Sequence, residues 1–102
     1  GITFKENCPD IRNTKVVDIY STLSEFTPNI TIYDPWANVD AVKREYGIDV
    51  MNKLPEGRFD AVILAVAHHE FLTLNIQSLL ALNHVIYDVK GCLESKFVDG
   101  RL

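Results

Sequence analysis

Three cations stand where they could meet one anion. Lys5 and Arg12 lie on the connection Phe4-Lys5-Glu6-Asn7-Cys8-Pro9-Asp10-Ile11-Arg12-Asn13, and Lys90 follows the apolar run Val85-Ile86-Tyr87. Lysines hold a phosphate or carboxylate as point charges, and arginine adds a planar fork of donors. The connection leads into an amphipathic segment starting near Thr14, whose free helix amides would favour the same anion. Three solvated charges on a polar loop with a helix cap fit the same spacing. Other reactive types are sparser. Asp34 follows a β-branched run, where a ribose-binding acid would stand, but no G-x-G-x-x-G or Walker motif accompanies it, so Asp34-Pro35 reads more simply as a turn initiator. His68-His69-Glu70, with Cys8 and Cys92, lacks C-x-x-C or H-x-x-x-H spacing. Adjacent histidines diverge, so a metal is disfavoured, and a helix cap plus a surface imidazole is the simpler reading. No motif pairs either thiol with a histidine as a nucleophile. Trp36 is placed beside the Asp34-Pro35 turn, where it packs or covers a ligand.

The elements that position these residues must fit in 102 residues, enough for one small domain. Hydrophobic residues are 47% and charged residues 24%, an ordinary globular balance. A net charge of -4 disfavours nucleic acid and anionic membranes as partners. Two cysteines make no secreted disulfide framework and suit a cytoplasmic protein with reduced thiols. No apolar run has the length of a membrane span, and no signal peptide is visible. Gly1-Ile2-Thr3-Phe4 reads as the tail of a strand, and there is no initiator methionine. The chain is therefore expected to be cut from a longer protein, its first strand truncated. A sheet short of that strand would offer an edge to another copy.

A helix is predicted from Asn13 or Thr14, with Val16, Val17, Tyr20, Leu23 and Phe26 on one face, ending at Pro28-Asn29. Ile30–Tyr33 reads as a strand. Asn38–Tyr46 reads as a helix stopped by Gly47, with Val39, Val42 and Tyr46 inward. Ile48–Met51 suits a short edge strand, and Leu54–Gly57 a loop. Phe59–Ala67 is the clearest strand, its Ala61–Ala67 run apolar without alternation and so expected to be buried on both faces. Phe71–Leu82 reads as a helix offering Leu72, Ile76, Leu79 and Leu80 to the core. Val85–Tyr87 reads as the last strand, and Val89–Leu102 as loop or frayed tail. This alternation predicts a three-layer, Rossmann-like α/β fold, with a mostly parallel sheet and helices on both faces. Ligands then sit beyond the carboxyl ends of the strands, the edge that carries Lys5, Arg12 and Lys90. The strands preceding Lys5 and Lys90 are expected to be neighbours.

The opening stretch Gly1–Lys15, then Tyr33-Asp34-Pro35, Ala65-Val66-Ala67-His68-His69-Glu70-Phe71, Tyr87-Asp88-Val89-Lys90-Gly91 and Asp99-Gly100-Arg101-Leu102 occur in this order. Together they resemble the C-terminal domain of the UDP-glucose/GDP-mannose dehydrogenase family over nearly the whole chain. The His68–Phe71 version is most similar to the bacterial branch that oxidises UDP-N-acetylhexosamines for surface polysaccharides. The resemblance implies a single UDP-binding domain over residues 1–102, part of an NAD-dependent enzyme that oxidises the sugar C6 hydroxyl to a carboxylate. It implies that Phe4 and Lys5 contact the UDP-sugar, and that Lys90 stands where relatives carry a basic residue on the same ligand. Arg12 matches an arginine reaching NAD on another domain. It further implies upstream NAD-binding and central domains, which carry the nucleophilic cysteine and the glycine fingerprint, and a homodimer or larger assembly. Neither Cys8 nor Cys92 occupies the nucleophile's motif, so no catalytic residue is assigned and the isolated chain is expected to be inactive. The alternative is a non-catalytic, flavodoxin-like binding or regulatory module. Against a receiver-type module, Lys5 stands where the first acid is needed and Ala67-His68 where the aspartate is needed.

Overall fold

Thr14 ends the opening connection by accepting the Val16 N–H on Oγ1 at 3.2 Å, and helix α1 runs over Val16–Ser24. Val16, Val17 and Tyr20 turn to the core. Phe26, expected on that face, lies past the helix end and is 82% exposed. Helix α2, Val39–Tyr46, has both predicted ends. The Asn38 side chain accepts from Ala41 N at 2.9 Å, and Gly47 closes the helix at φ 70°, donating to the Lys43 carbonyl. These features belong to a computed structural model that describes residues 1–101; Leu102 lies outside the described residues.

Strand β1 covers Phe59–Leu64 and β2 covers Leu80–Asp88, paired in parallel from Phe59↔Leu80 to Leu64↔Asp88, with a bulge where Ala81–His84 has one residue opposite it. Burial on both faces holds only at the end of the predicted strand. Leu64, Ala65 and Val66 are buried, whereas Val62 and Ile63 are half-buried and Ala61 is exposed. The predicted helix Phe71–Leu82 is absent as such. Helix α3 spans only His69–Leu72, a 3-10 turn covers Ile76–Leu79, and Leu80 already belongs to β2. Thr73 and Ser78 donate their hydroxyls to the carbonyls of Glu70 and Asn75, a local alternative to the helical ladder.

The supposed tail is part of the sheet. After a 3-10 turn at Ser95–Phe97, strand β3 (Gly100–Arg101) pairs in parallel with Tyr87 and Asp88. Asp99 fixes the junction, its N–H bonded to the Ile86 carbonyl at 2.8 Å and its carboxylate accepting Ile86 N–H at 2.7 Å. Gly100 is required here, because a Cβ would lie 2.7 Å from the Tyr87 ring. The order β1-β2-β3, all parallel, fits the Rossmann-like α/β reading. Ile30–Tyr33 is reduced from a strand to an extended segment, bridged in parallel from Tyr33 to Met51.

Between Ile30–Tyr33 and β1 the sheet is interrupted. A cavity of about 280 Å³ lies there, lined by Ile30, Ile32 and Tyr33 on one side and Ala61, Ile63 and Leu64 of β1 on the other. Gly1 also lines it, and its N–H donates to the Tyr33 carbonyl at 3.0 Å, in the manner of a ladder bond. A Cβ on Gly1 would meet the Val66 Cβ at 2.8 Å, so the backbone passes as close as a glycine permits.

Candidate functional site at the strand-end edge

Two fully buried carboxylates organise the carboxyl edge of the sheet. Asp34, following the bridged segment, uses Oδ2 to accept from Ile2 N (2.7 Å) and Thr3 N (3.1 Å), and Oδ1 to accept from Trp36 N (2.7 Å) and Ala37 N (3.1 Å). Asp88, ending β2, accepts on Oδ1 from Lys90 N (3.1 Å) and Gly91 N (2.8 Å), and on Oδ2 from Leu93 N (2.8 Å). Each carboxylate thereby sets the path of a loop. Burial pushes the Asp34 carboxyl up, but donors from Ile2, His68 and Trp36 outweigh it and hold its pKa below the ordinary value. Asp34 is thus far more than the predicted turn initiator.

His68 is the second correction. It stands at the N-cap of α3 without capping through its side chain, and it is fully buried. Its Nε2 lies 3.0 Å from Asp34 Oδ2 and 3.1 Å from Thr3 Oγ1, and its Nδ1 accepts from Asn7 N at 2.9 Å. Trp36 stacks on this imidazole with ring centres 6.0 Å apart and donates its indole N–H to Glu70 at 2.9 Å. That bond, opposed by a small desolvation, keeps the Glu70 carboxyl below its usual range. His69 is the exposed imidazole, with its backbone N–H on Asn7 Oδ1 at 2.8 Å.

The loop carrying Phe4 and Lys5 is closed by a bond from Phe4 N to the Asp10 carbonyl at 2.7 Å. Thr3 Oγ1 donates to the Lys5 carbonyl at 3.1 Å. Asn7 adopts φ 54°, a left-handed turn that asparagine tolerates. The main chain is held on either side of Lys5 while its side chain stays exposed, and the Phe4 ring is 52% exposed. Lys90 is held through its own N–H by Asp88 and is likewise exposed. Val89 N donates to the Leu64 carbonyl at 2.9 Å, so the Lys90 loop abuts the end of β1, the strand from which His68 follows. Lys5 and Lys90 therefore share one edge. They do not follow neighbouring strands, because β2 is flanked by β1 and β3, leaving β1 between the two lysines.

Arg12 stands apart. Its guanidinium grips Asp10 through Nε–Oδ1 and Nη2–Oδ2, each 3.0 Å, and the side chain is 83% exposed. Those donors draw the Asp10 carboxyl down to about 2. Burial and the nearby Asp88 raise the Cys92 thiol, which disfavours its thiolate. Sequence reasoning missed Asp34, His68, Asp88 and Asn7. The signal that could have found the two acids is an aspartate closing an apolar run, with two or three residues of turn behind it.

The family model for the UDP-glucose/GDP-mannose dehydrogenase family, UDP binding domain, matches residues 1–95. The chain belongs to this family. It is 46% identical over 105 residues to the UDP-N-acetyl-D-glucosamine 6-dehydrogenase of Pseudomonas aeruginosa, and 39% identical over 105 residues to the protein of that name from Salmonella typhi. Each match takes in 100% of this chain and 25% of the relative. Protein CapL of Staphylococcus aureus is 35% identical over 97 residues, 93% of this chain and 23% of CapL. The chain thus spans about a quarter of the length of the curated relatives it matches. Membership displaces the receiver-type alternative. Among the described residues no helix is long and apolar enough to cross a membrane.

Proposed function

We propose that this chain is the UDP-sugar-binding part of an NAD-dependent nucleotide-sugar 6-dehydrogenase, which oxidises the sugar C6 hydroxyl to a carboxylate. The observation that carries the reading is the family match over residues 1–95 together with the exposed Phe4, Lys5 and Lys90 on the edge where an α/β sheet takes its ligand. Lys5 and Lys90 supply two point charges to the pyrophosphate, and the exposed Phe4 ring offers an apolar face beside them. The relatives' names favour UDP-N-acetylglucosamine as the substrate to try first.

NAD would accept hydride from the substrate. This chain suits only a minor share of its binding: no glycine-rich phosphate loop occurs, and Arg12 is one exposed guanidinium poised by Asp10. We assign Arg12 to an NAD phosphate and the rest of that site to upstream domains, in a cytoplasmic enzyme that assembles as a homodimer or larger. The chain by itself is then inactive. The slot between Ile30–Tyr33 and β1 is read as the seat of the residues preceding Gly1, entering as a parallel strand. Its two facing backbone edges and the Gly1–Tyr33 bond support this reading.

In the whole enzyme, Lys5→Ala is expected to raise KM for UDP-N-acetylglucosamine about tenfold, the scale of one charge-assisted hydrogen bond. An unchanged KM overturns the contact. Arg12→Ala is expected to raise KM for NAD more than KM for the sugar nucleotide, and equal effects would contradict the division of roles.

A further inference from the structure

His68 is fully buried and joins three separate pieces of chain. Asn7 N–H donates to its Nδ1 at 2.9 Å, so that nitrogen carries no proton. Its Nε2 lies 3.0 Å from an Asp34 oxygen, and a carboxylate can only accept, so Nε2 carries the proton. Thr3 Oγ1, 3.1 Å from the same nitrogen, gives its own proton to the Lys5 carbonyl and receives a share of Nε2–H. One neutral tautomer satisfies every partner. An imidazolium would set an Nδ1–H against the Asn7 N–H, donor against donor.

We propose that neutral His68 is the positioning residue that latches the loop bearing Phe4 and Lys5 onto the Asp34 end of the sheet. The consequence for the sugar nucleotide rests on the reading of Phe4 and Lys5 as its contacts. Fixed at Lys5 by Thr3 and at Asn7 by His68, the loop presents Lys5 already ordered, and binding avoids that entropic cost.

Two substitutions separate the latch from simple packing. Asn at 68 keeps an acceptor where Nδ1 stands, and Gln keeps a donor where Nε2 stands; both lose the ring. In the whole enzyme, His68→Gln is expected to raise KM for UDP-N-acetylglucosamine about tenfold with kcat within about twofold, while His68→Asn stays within about twofold. Equal rises in both variants, or no rise in either, overturn the proposal. If the Gln variant fails to fold, amide exchange at Asn7 in His68→Asn against the wild type still decides: a comparable rate supports the latch, and much faster exchange overturns it. Amide hydrogen exchange at Asn7 reads the latch without substrate. Exchange faster in His68→Gln than in His68→Asn supports it, and equal rates refute it. Should Lys5→Ala leave KM unchanged, the contact reading fails while the exchange result still decides the latch.

Discussion

Asp34 binds five donors with two oxygens, and no neutral side chain of its shape can do the same. In Asp34→Asn, whichever way the amide turns, its NH2 faces at least two N–H groups. Loss of about 2–4 kcal/mol is expected, read as a lower urea midpoint. The pH dependence follows from the depressed carboxyl. The unfolded value is the ordinary one, about 3.9. Asp34 therefore contributes fully above that pH, and its contribution is lost as pH falls through the lower folded value. Urea unfolding between about pH 6 and pH 3 should show stability falling with acid, less steeply in Asp34→Asn. At this scale the sequence was legible for what is exposed: Phe4, Lys5, Arg12 and Lys90 are all outward-facing. It was less legible for Asp34 and Asp88, whose only local sign is an aspartate closing an apolar run, and not for His68, whose partners Thr3, Asn7 and Asp34 are more than thirty residues away.

Helix α2 and the Phe59 strand could be read directly, since a cap, a glycine stop and an unbroken apolar run are local signals. The failures were cases where a distant partner decides the element. Leu72, Ile76, Leu79 and Leu80 keep a helical spacing, but β1 draws Leu80 into register with Phe59. The hydroxyls of Thr73 and Ser78 then hold a chain that no longer winds. Strand β3 is two residues long and has no hydrophobic period at all; Asp99 and the flat side of Gly100 specify it. Gly100→Ala tests this element. A methyl pressed on the Tyr87 ring is expected to cost about 1–3 kcal/mol in thermal or urea unfolding. An unaltered midpoint would mean that β3 contributes nothing to the fold.

Across the whole molecule, the sheet has two parallel ladders on one side of a slot and a single bridge on the other. A chain extended upstream of Gly1 by about eight residues, one ordinary strand, is expected to be more stable than residues 1–102 and to resist proteolysis between Ile30 and Tyr33. If the longer chain unfolds at the same midpoint, the slot is not a strand site. The same molecule keeps its scaffold chemically separate from the groups proposed to face the ligand. Asp34 and Asp88 grip N–H groups, which nearly every residue possesses, and never the side chains of residues 4, 5 or 90. Exchanging Phe4, Lys5 or Lys90 therefore removes none of the bonds by which Asp34 and Asp88 hold these loops, so variation at the three positions is uncoupled from folding.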